Sequence, residues 1–270
     1  LGVIPWCETV GIKFGTNLNA YTSIDETVYN ISNAPIDRTG VLDSCLLILH
    51  DWSNYILLKD DEIDKERGVI REEWRSRNSG MLRVYTDLLP TIYQGDKYAD
   101  CMPIGSIDVI NNFPYKDIRD YYHKWYRPDL QAIAVVGDFD VDQMEKKVKE
   151  LFSKIPTPVN PAKRENFTVN PHDEIYFVCA TDKELTQSSV SVYIKYPAPT
   201  KEEKNHQYMK NGILQSFYNT MLGQRVSELL QKGNPPFISA QAGFGGNIVR
   251  GWNTYIISTT AKPNEEAGAL

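Results

Sequence analysis

The sequence has 270 residues, enough at roughly 150 residues per domain for two hydrophobic cores. Hydrophobic residues make up 41% and charged residues 24%, too apolar a balance for a disordered chain, and 35 acidic against 29 basic residues give a net charge of −6, which argues against a nucleic-acid partner. The densest apolar runs, 45–49 and 132–136, are far shorter than the about 20 residues that a membrane-spanning helix needs, so no membrane-spanning segment is expected.

In chain order, residues 12–31 predict two strands of a hairpin, with alternation through Thr27, Tyr29 and Ile31. Residues 37–53 carry Val41, Leu42, Cys45, Leu46 and Leu49 at helical spacing, with Asp37 available as a cap. A strongly charged helix follows over 59–78, its apolar stripe formed by Ile63, Ile70 and Trp74, and short helical segments continue to Asp120. LQAIAVVGDFD, residues 130–140, has the composition of a buried strand, and 141–152 that of an amphipathic helix with an Asp cap. Pro156, Pro158, Pro161 and Pro171 fall in a stretch poor in apolar side chains, the composition of a linker. Beyond it, 174–180 and 188–196 read as strands and 202–232 as one broken helix or two successive ones. A second hairpin over 238–244 and 252–261 is joined across the glycine-rich GFGGNIVRG. That stretch lacks the Gly-Lys-Ser/Thr ending of a phosphate loop and precedes a strand rather than a helix.

The fold class expected is α+β: two related sandwich-like domains of mostly antiparallel sheet packed with helices, over 1–157 and 158–270. Residues 27–42 and 254–270 show a weak self-similarity, each a strand leading into a helix start. The chain opens on Leu1, and 265–270 look like a helix just beginning. It therefore reads as an excerpt, with the start of the first domain and the end of the second missing.

The residues with most chemical content lie in DEIDKERGVIREEWRSR, 61–77. On a helix, Glu66 and Glu73 project from nearly one face two turns apart, flanking Val69 and Ile70. Carboxylates so placed require an ion pair, hydrogen bonds or a bound cation. A surface helix with Glu/Arg pairs satisfies that requirement as well, so spacing alone leaves both open. The four cysteines form no C-x-x-C pair and suit free buried thiols, and the four histidines are scattered singly, suiting surface or satisfied positions. The aromatics of YYHKWY, 121–126, lie in an acidic chain and fit core packing better than base stacking.

DKERGVIREEWRSR resembles the segment that supplies the third zinc ligand in the pitrilysin or insulinase family of zinc metallopeptidases, where an E-R-x-x-I-x-x-E run lies downstream of H-x-x-E-H. GIKFGTNLNAYTSIDETVYNI resembles the substrate-side strand of that family, and YYHKWYRPDLQAIAVVGDFDVDQMEKKVKELFSKIP the end of its first domain. ATDKELTQSSVSVYIKYP resembles the start of its second domain. The resemblance implies Glu73 as a zinc-ligating carboxylate and Glu66 as the carboxylate that orients a ligand histidine. It places Asn19, Ala20, Tyr21 and Thr22 on an edge strand that receives a peptide or small protein substrate, with a C-terminal half or partner subunit closing a chamber over it. Zn2+ is the cofactor implied for the complete protein, and bacterial relatives point to the cell envelope or periplasm. The sequence departs from the pattern in containing no H-x-x-E-H. The resemblance thus implies an inactive piece that does not hold zinc tightly; a non-catalytic homologue acting as a peptide-binding or structural partner is the competing expectation.

Overall fold

In the computed structural model, which describes residues 2–94 and 96–269, the first predicted hairpin forms as β1 (Leu18–Thr22) and β2 (Thr27–Ile31), antiparallel with Leu18 opposite Ile31. A short helix, α1 (Val3–Thr9), precedes it, and α2 (Val41–Asn54) follows. Cys7, Ile12, Leu18, Val41, Cys45 and Ile48 bury together as the core beneath this hairpin. The cap of α2 is not Asp37 as expected: the helix starts at Gly40, whose φ of 80° is a left-handed conformation that only glycine adopts at little cost. The charged helix forms as α3 (Asp60–Arg77), followed by α4 (Gly80–Ile92), a 3₁₀ turn (Lys97–Asp100), α5 (Ile107–Asn112) and α6 (Tyr115–Trp125). α7 (Val141–Phe152) begins as expected on an Asp cap, Asp140 accepting from the Gln143 N–H at 2.9 Å. Lys147 of α7 donates to Asp43 of α2 at 2.6 Å.

Residues 130–140 correct the sequence expectation. Beyond a 3₁₀ turn, Pro128–Leu130, they form no strand, and Val136 is 96% exposed. The same holds for 174–180, where Ile175 is 98% exposed. Apolar composition makes a buried strand only where a neighbouring strand offers backbone partners and a packed face, and the described residues offer these segments neither.

The chain divides into two compact units, each assembled from two stretches: Leu1–Arg75 with Pro103–Glu165, and Ser76–Met102 with Asn166–Leu270. The second holds β3 (Ser189–Pro197), α8 (His206–Gln231), β4 (Phe237–Val249), β5 (Trp252–Ala261) and a final short helix, α9 (Glu266–Ala269). Its antiparallel sheet has the order β3-β5-β4. Leu89 of α4 and Tyr93, the C-cap of that helix, bury with Tyr98, Val169 and Val249, which is why the stretch carrying α4 belongs to this unit. α8 is one unbroken helix, capped by the Asn205 side chain, which accepts from the Gln207 and Tyr208 N–H groups.

The glycine-rich stretch is not the turn expected. The turn is confined to Arg250 and Gly251, and Gly243 to Gly246 lie inside β4. A Cβ at Gly243 would sit 2.6 Å from Asn219 Oδ1 of α8. Asn219 in turn binds both main-chain groups of Phe244, accepting from its N–H and donating to its carbonyl at 2.9 Å each. The glycine lets helix and sheet approach closely enough for that pair of bonds.

Also in the second unit, the Arg83 fork on α4 donates to Asp182 at 2.7 and 2.9 Å and reaches Glu184 at 2.9 Å. Glu184 also accepts from the Gly80 N–H at 2.9 Å. The Arg83 guanidinium, with help from the Glu184 N–H, holds the Asp182 carboxyl down at about 2. A depressed carboxylate contributes stability that is fully present above its unfolded pKa of about 3.9 and is lost as pH falls towards the folded value. Acid unfolding followed by circular dichroism is expected to lose its pH dependence between about 4 and 2 in part when Asp182→Asn is introduced; identical slopes would refute the assignment. A Cβ at Gly80 would lie 2.8 Å from Asp182 Oδ1, so Gly80→Ala is expected to destabilise by about 1–3 kcal/mol in urea denaturation.

Candidate functional site

The candidate site is built on α3 and β1, both of which lie in the first unit up to Arg75. α3 opens with Asp60, Asp61 and Glu62, whose charges suit the positive end of the helix dipole. Its only buried residue is Ile63, so polar contacts set its position. Arg119 of α6 donates twice to the Leu58 carbonyl, at 3.0 and 2.9 Å, and pairs with Asp60. Tyr115 donates to Asp64 at 2.6 Å. Arg67 donates from both terminal nitrogens to main-chain carbonyls, of Ile110 and, at 3.0 Å, of Phe113. Its guanidinium carbon lies 3.9 Å from the centroid of the Phe113 ring.

On this uninterrupted helix Glu66 and Glu73 stand roughly 10 Å apart along the axis and about 20° apart around it. Glu66 is exposed and Glu73 partly buried, and the neighbouring Val69 and Ile70 are exposed as well. The face is therefore open, with two carboxylates beside apolar side chains.

β1 pairs with β2 on one side and has no strand on its other side among the described residues. Hydrogen bonds from Ser23 N–H to the Glu26 carbonyl (2.8 Å) and from Ser32 N–H to the Asn17 carbonyl (2.8 Å) fix the alternation. Odd-numbered residues of β1 face β2, and Leu18, Ala20 and Thr22 turn their main-chain groups to the open edge. The Leu18 carbonyl accepts from the Gly15 N–H at 2.9 Å, and the Ala20 N–H donates to its neighbour Asn19 Oδ1 at 2.9 Å. Tyr21 donates to Glu26 at 3.1 Å, and the Thr22 and Thr27 hydroxyls lie 3.3 Å apart. The hairpin and α3 are held by different contacts, although both reach α6, α3 at Tyr115 and Arg119 and the hairpin at Tyr126, the C-cap of that helix. α3 is held on the 110–119 segment, whereas Tyr29 of β2 lies 5.5 Å from the Trp52 ring and bonds the Tyr126 hydroxyl at 2.7 Å. Burial and that bond push the Tyr29 hydroxyl well above the usual phenol range.

Sequence reasoning missed Arg67 and misread His50. His50 is neither at the surface nor fully satisfied: it is buried, with Nδ1 3.0 Å from Asp51 and a buried Nε2 that has no partner among the described residues, between the rings of Tyr55 and Phe152 at 4.8 and 5.5 Å. The signal was present, since His50 continues the apolar spacing of Leu46 by one turn.

As a metal-binding arrangement the site is partial. Glu73 offers a carboxylate oxygen of the kind zinc accepts and fits that one position of a four-donor set. Among the described residues no three of His, Cys, Asp and Glu gather in a way that could hold a metal ion. The four cysteines are free, and burial pushes the Cys45 thiol up to about 11, away from the thiolate that metals bind.

Helices packed on antiparallel sheets, with an open-edged hairpin and a helix bearing two carboxylates on one face, define an α+β chain. Residues 8–101 match the family model described as insulinase, peptidase family M16, and residues 112–267 the model described as peptidase M16 inactive domain. The chain belongs to peptidase family M16. It is 30% identical to the probable zinc protease PqqL of Escherichia coli over 88% of its own length and 25% of that protein. It is 29% identical to the zinc protease PQQL-like of Arabidopsis thaliana over 88% of its length and 25% of that relative. The crystal structure of the first half of the periplasmic protease PqqL from Escherichia coli superposes with a TM-score of 0.79 at 28% identity, over 96% of this chain and 55% of that one. The chain thus spans about a quarter of the length of these curated relatives. Among the described residues no helix is long and apolar enough to cross a membrane.

The Tyr29 to Tyr126 bond is the polar tie of the hairpin and can be weighed directly. Tyr29→Phe is expected to destabilise the protein by about 1 kcal/mol in urea denaturation. In a double-mutant cycle, Tyr126→Phe should add little once Tyr29 is already Phe.

Proposed function

We propose that this chain is part of a zinc-dependent endopeptidase that hydrolyses peptides held as an added strand on β1 inside a closed chamber. The observation that carries this reading is that one unit of a family M16 chain presents both an open strand edge and a helix with Glu66 and Glu73 on an open face. Zinc, when bound, supplies Lewis acidity and an acidified water for peptide hydrolysis. In this reading Glu73 contributes one carboxylate ligand, Glu66 orients a ligand histidine, and the remaining donors come from outside these 270 residues. The outward main-chain groups of Ala20 and Thr22 bind the peptide backbone whatever its sequence, and Asn19 and Tyr21 shape the contact. A C-terminal half or partner subunit closes the chamber; a relative crystallised as a first half supports such a division. The periplasmic naming of that relative supports a place in the bacterial cell envelope.

The second reading is a non-catalytic partner that binds peptide or supports a catalytic subunit. The match of 112–267 to a domain described as inactive favours that role for this stretch. For the first unit, Glu66 and Glu73 on one open face of α3 favour the catalytic reading, since they stand where the family resemblance expects its carboxylates.

In the full-length protein Glu73→Gln is expected to abolish both zinc retention through gel filtration and peptidase activity; activity equal to the parent's would sink the peptidase reading. The 270-residue chain alone should retain no stoichiometric zinc. Ala20→Pro removes an edge N–H where proline is tolerated, and is expected to raise KM several-fold while kcat changes little. An unchanged KM would remove β1 from substrate binding.

A further inference from the structure

We propose that Arg67 is the positioning residue that sets the rotation of α3 about its own axis, and thereby the direction in which Glu66 and Glu73 project. The proposal rests on the reading of Glu73 as a zinc ligand. α3 cannot be oriented by hydrophobic burial alone, since Ile63 is its one buried residue. Ile63, with the half-buried Trp74 three turns on along the same line, leaves the helix free to roll about that line of contact. Arg67 removes that freedom with three contacts on one rigid group. Its two terminal nitrogens reach the carbonyls of Ile110 and Phe113, on either side of the α5 end, and its face lies 3.9 Å over the Phe113 ring. The side chain is 15% exposed, so these bonds replace most of its hydration. Carbonyls left over at the end of α5 are natural acceptors for such a fork, because no further helical turn uses them.

The consequence for the carboxylates is geometric. Arg67 lies about a third of a turn around the helix from both Glu66 and Glu73. At roughly 6 Å from the axis, every 10° of roll moves a carboxylate by about 1 Å, while a metal site tolerates about 0.5 Å. Lysine cannot reproduce the restraint, since an ammonium has neither the planar fork nor the stacking face.

The test uses the full-length protein and zinc itself, titrated against a chromophoric chelator. Arg67→Met and Arg67→Lys are expected to weaken zinc affinity about 10- to 100-fold and to lower kcat, with KM within two-fold of the parent because the hairpin is tied at Trp52 and Tyr126 and not at Ile110 and Phe113, the residues that Arg67 contacts. Zinc affinity and kcat within two-fold of the parent in both folded variants, alongside loss of zinc in Glu73→Gln, would overturn the positioning role and leave the ligand reading standing. Retention of zinc by Glu73→Gln would overturn both. If Arg67→Met does not fold, Arg67→Lys and Phe113→Leu, which removes only the ring beneath the guanidinium, decide the matter. Reduced zinc affinity with circular dichroism unchanged supports the proposal, and unchanged affinity in both refutes it.

Discussion

A helix with too little apolar surface to fix its own orientation is the constraint on which the first unit depends. Of the 18 residues of α3, 12 are charged and one is buried. The hydrophobic effect is non-directional and here has little area to act on. Orientation therefore comes from directional bonds: the Arg119 fork on the Leu58 carbonyl ahead of the first turn, Tyr115 on Asp64, and Arg67 on the carbonyls at the end of α5. All three contacts land on residues 107–119 or come from them. That explains why this stretch joins the first unit although it follows α4, which buries its apolar face in the second.

The elements legible in the sequence are those whose stability is local. The first hairpin, α3 and α7 follow from alternation, helical spacing and an Asp cap; the two helices appear within one residue of the expected bounds, and the hairpin ends where expected but opens at Leu18 rather than residue 12. The failures are non-local. The run LQAIAVV has strand composition, but a strand is a relation between two segments, and its partner is not something one segment encodes. GFGGNIVRG looks like a turn because glycine is common there. Its glycines instead serve an approach between α8 and β4 set by Asn219, 24 positions before Gly243, which no local window contains. The start of α2 at Gly40 rather than Asp37 belongs to the same class, since a left-handed residue is chosen by the path of the chain into the helix.

The site divides in the same way. That Glu66 and Glu73 share a face is a consequence of helical period alone and was available from spacing. Which side of β1 faces outward was not. It depends on the hairpin register, which the Ser23 to Glu26 and Ser32 to Asn17 bonds fix, and a shift of one residue would present Asn19 and Tyr21 instead. Nothing in the spacing singles out Arg67, because its acceptors are main-chain carbonyls 43 and 46 residues away. Carbonyls leave no trace in a sequence.

The choice of carbonyl acceptors has a physical consequence for the carboxylate face. Lys65 with Glu62 and Asp61, and Arg75 with Glu72, pair side chains of α3 that are more than half exposed, whereas the Arg67 to Asp64 contact, at 3.5 Å, involves a largely buried group. The exposed pairs contribute at most about 1 kcal/mol and weaken as salt screens them. A neutral carbonyl presents a partial charge at short range to a guanidinium withdrawn from water, so screening by ions acts on it far less. A helix oriented by its ion pairs would shift with ionic strength and with the charge of whatever peptide or cation approached it. One oriented by Arg67 on the end of α5 keeps its carboxylates in place while the charges on its outer face rearrange, which is the property that the proposed zinc-ligand role of Glu73 requires.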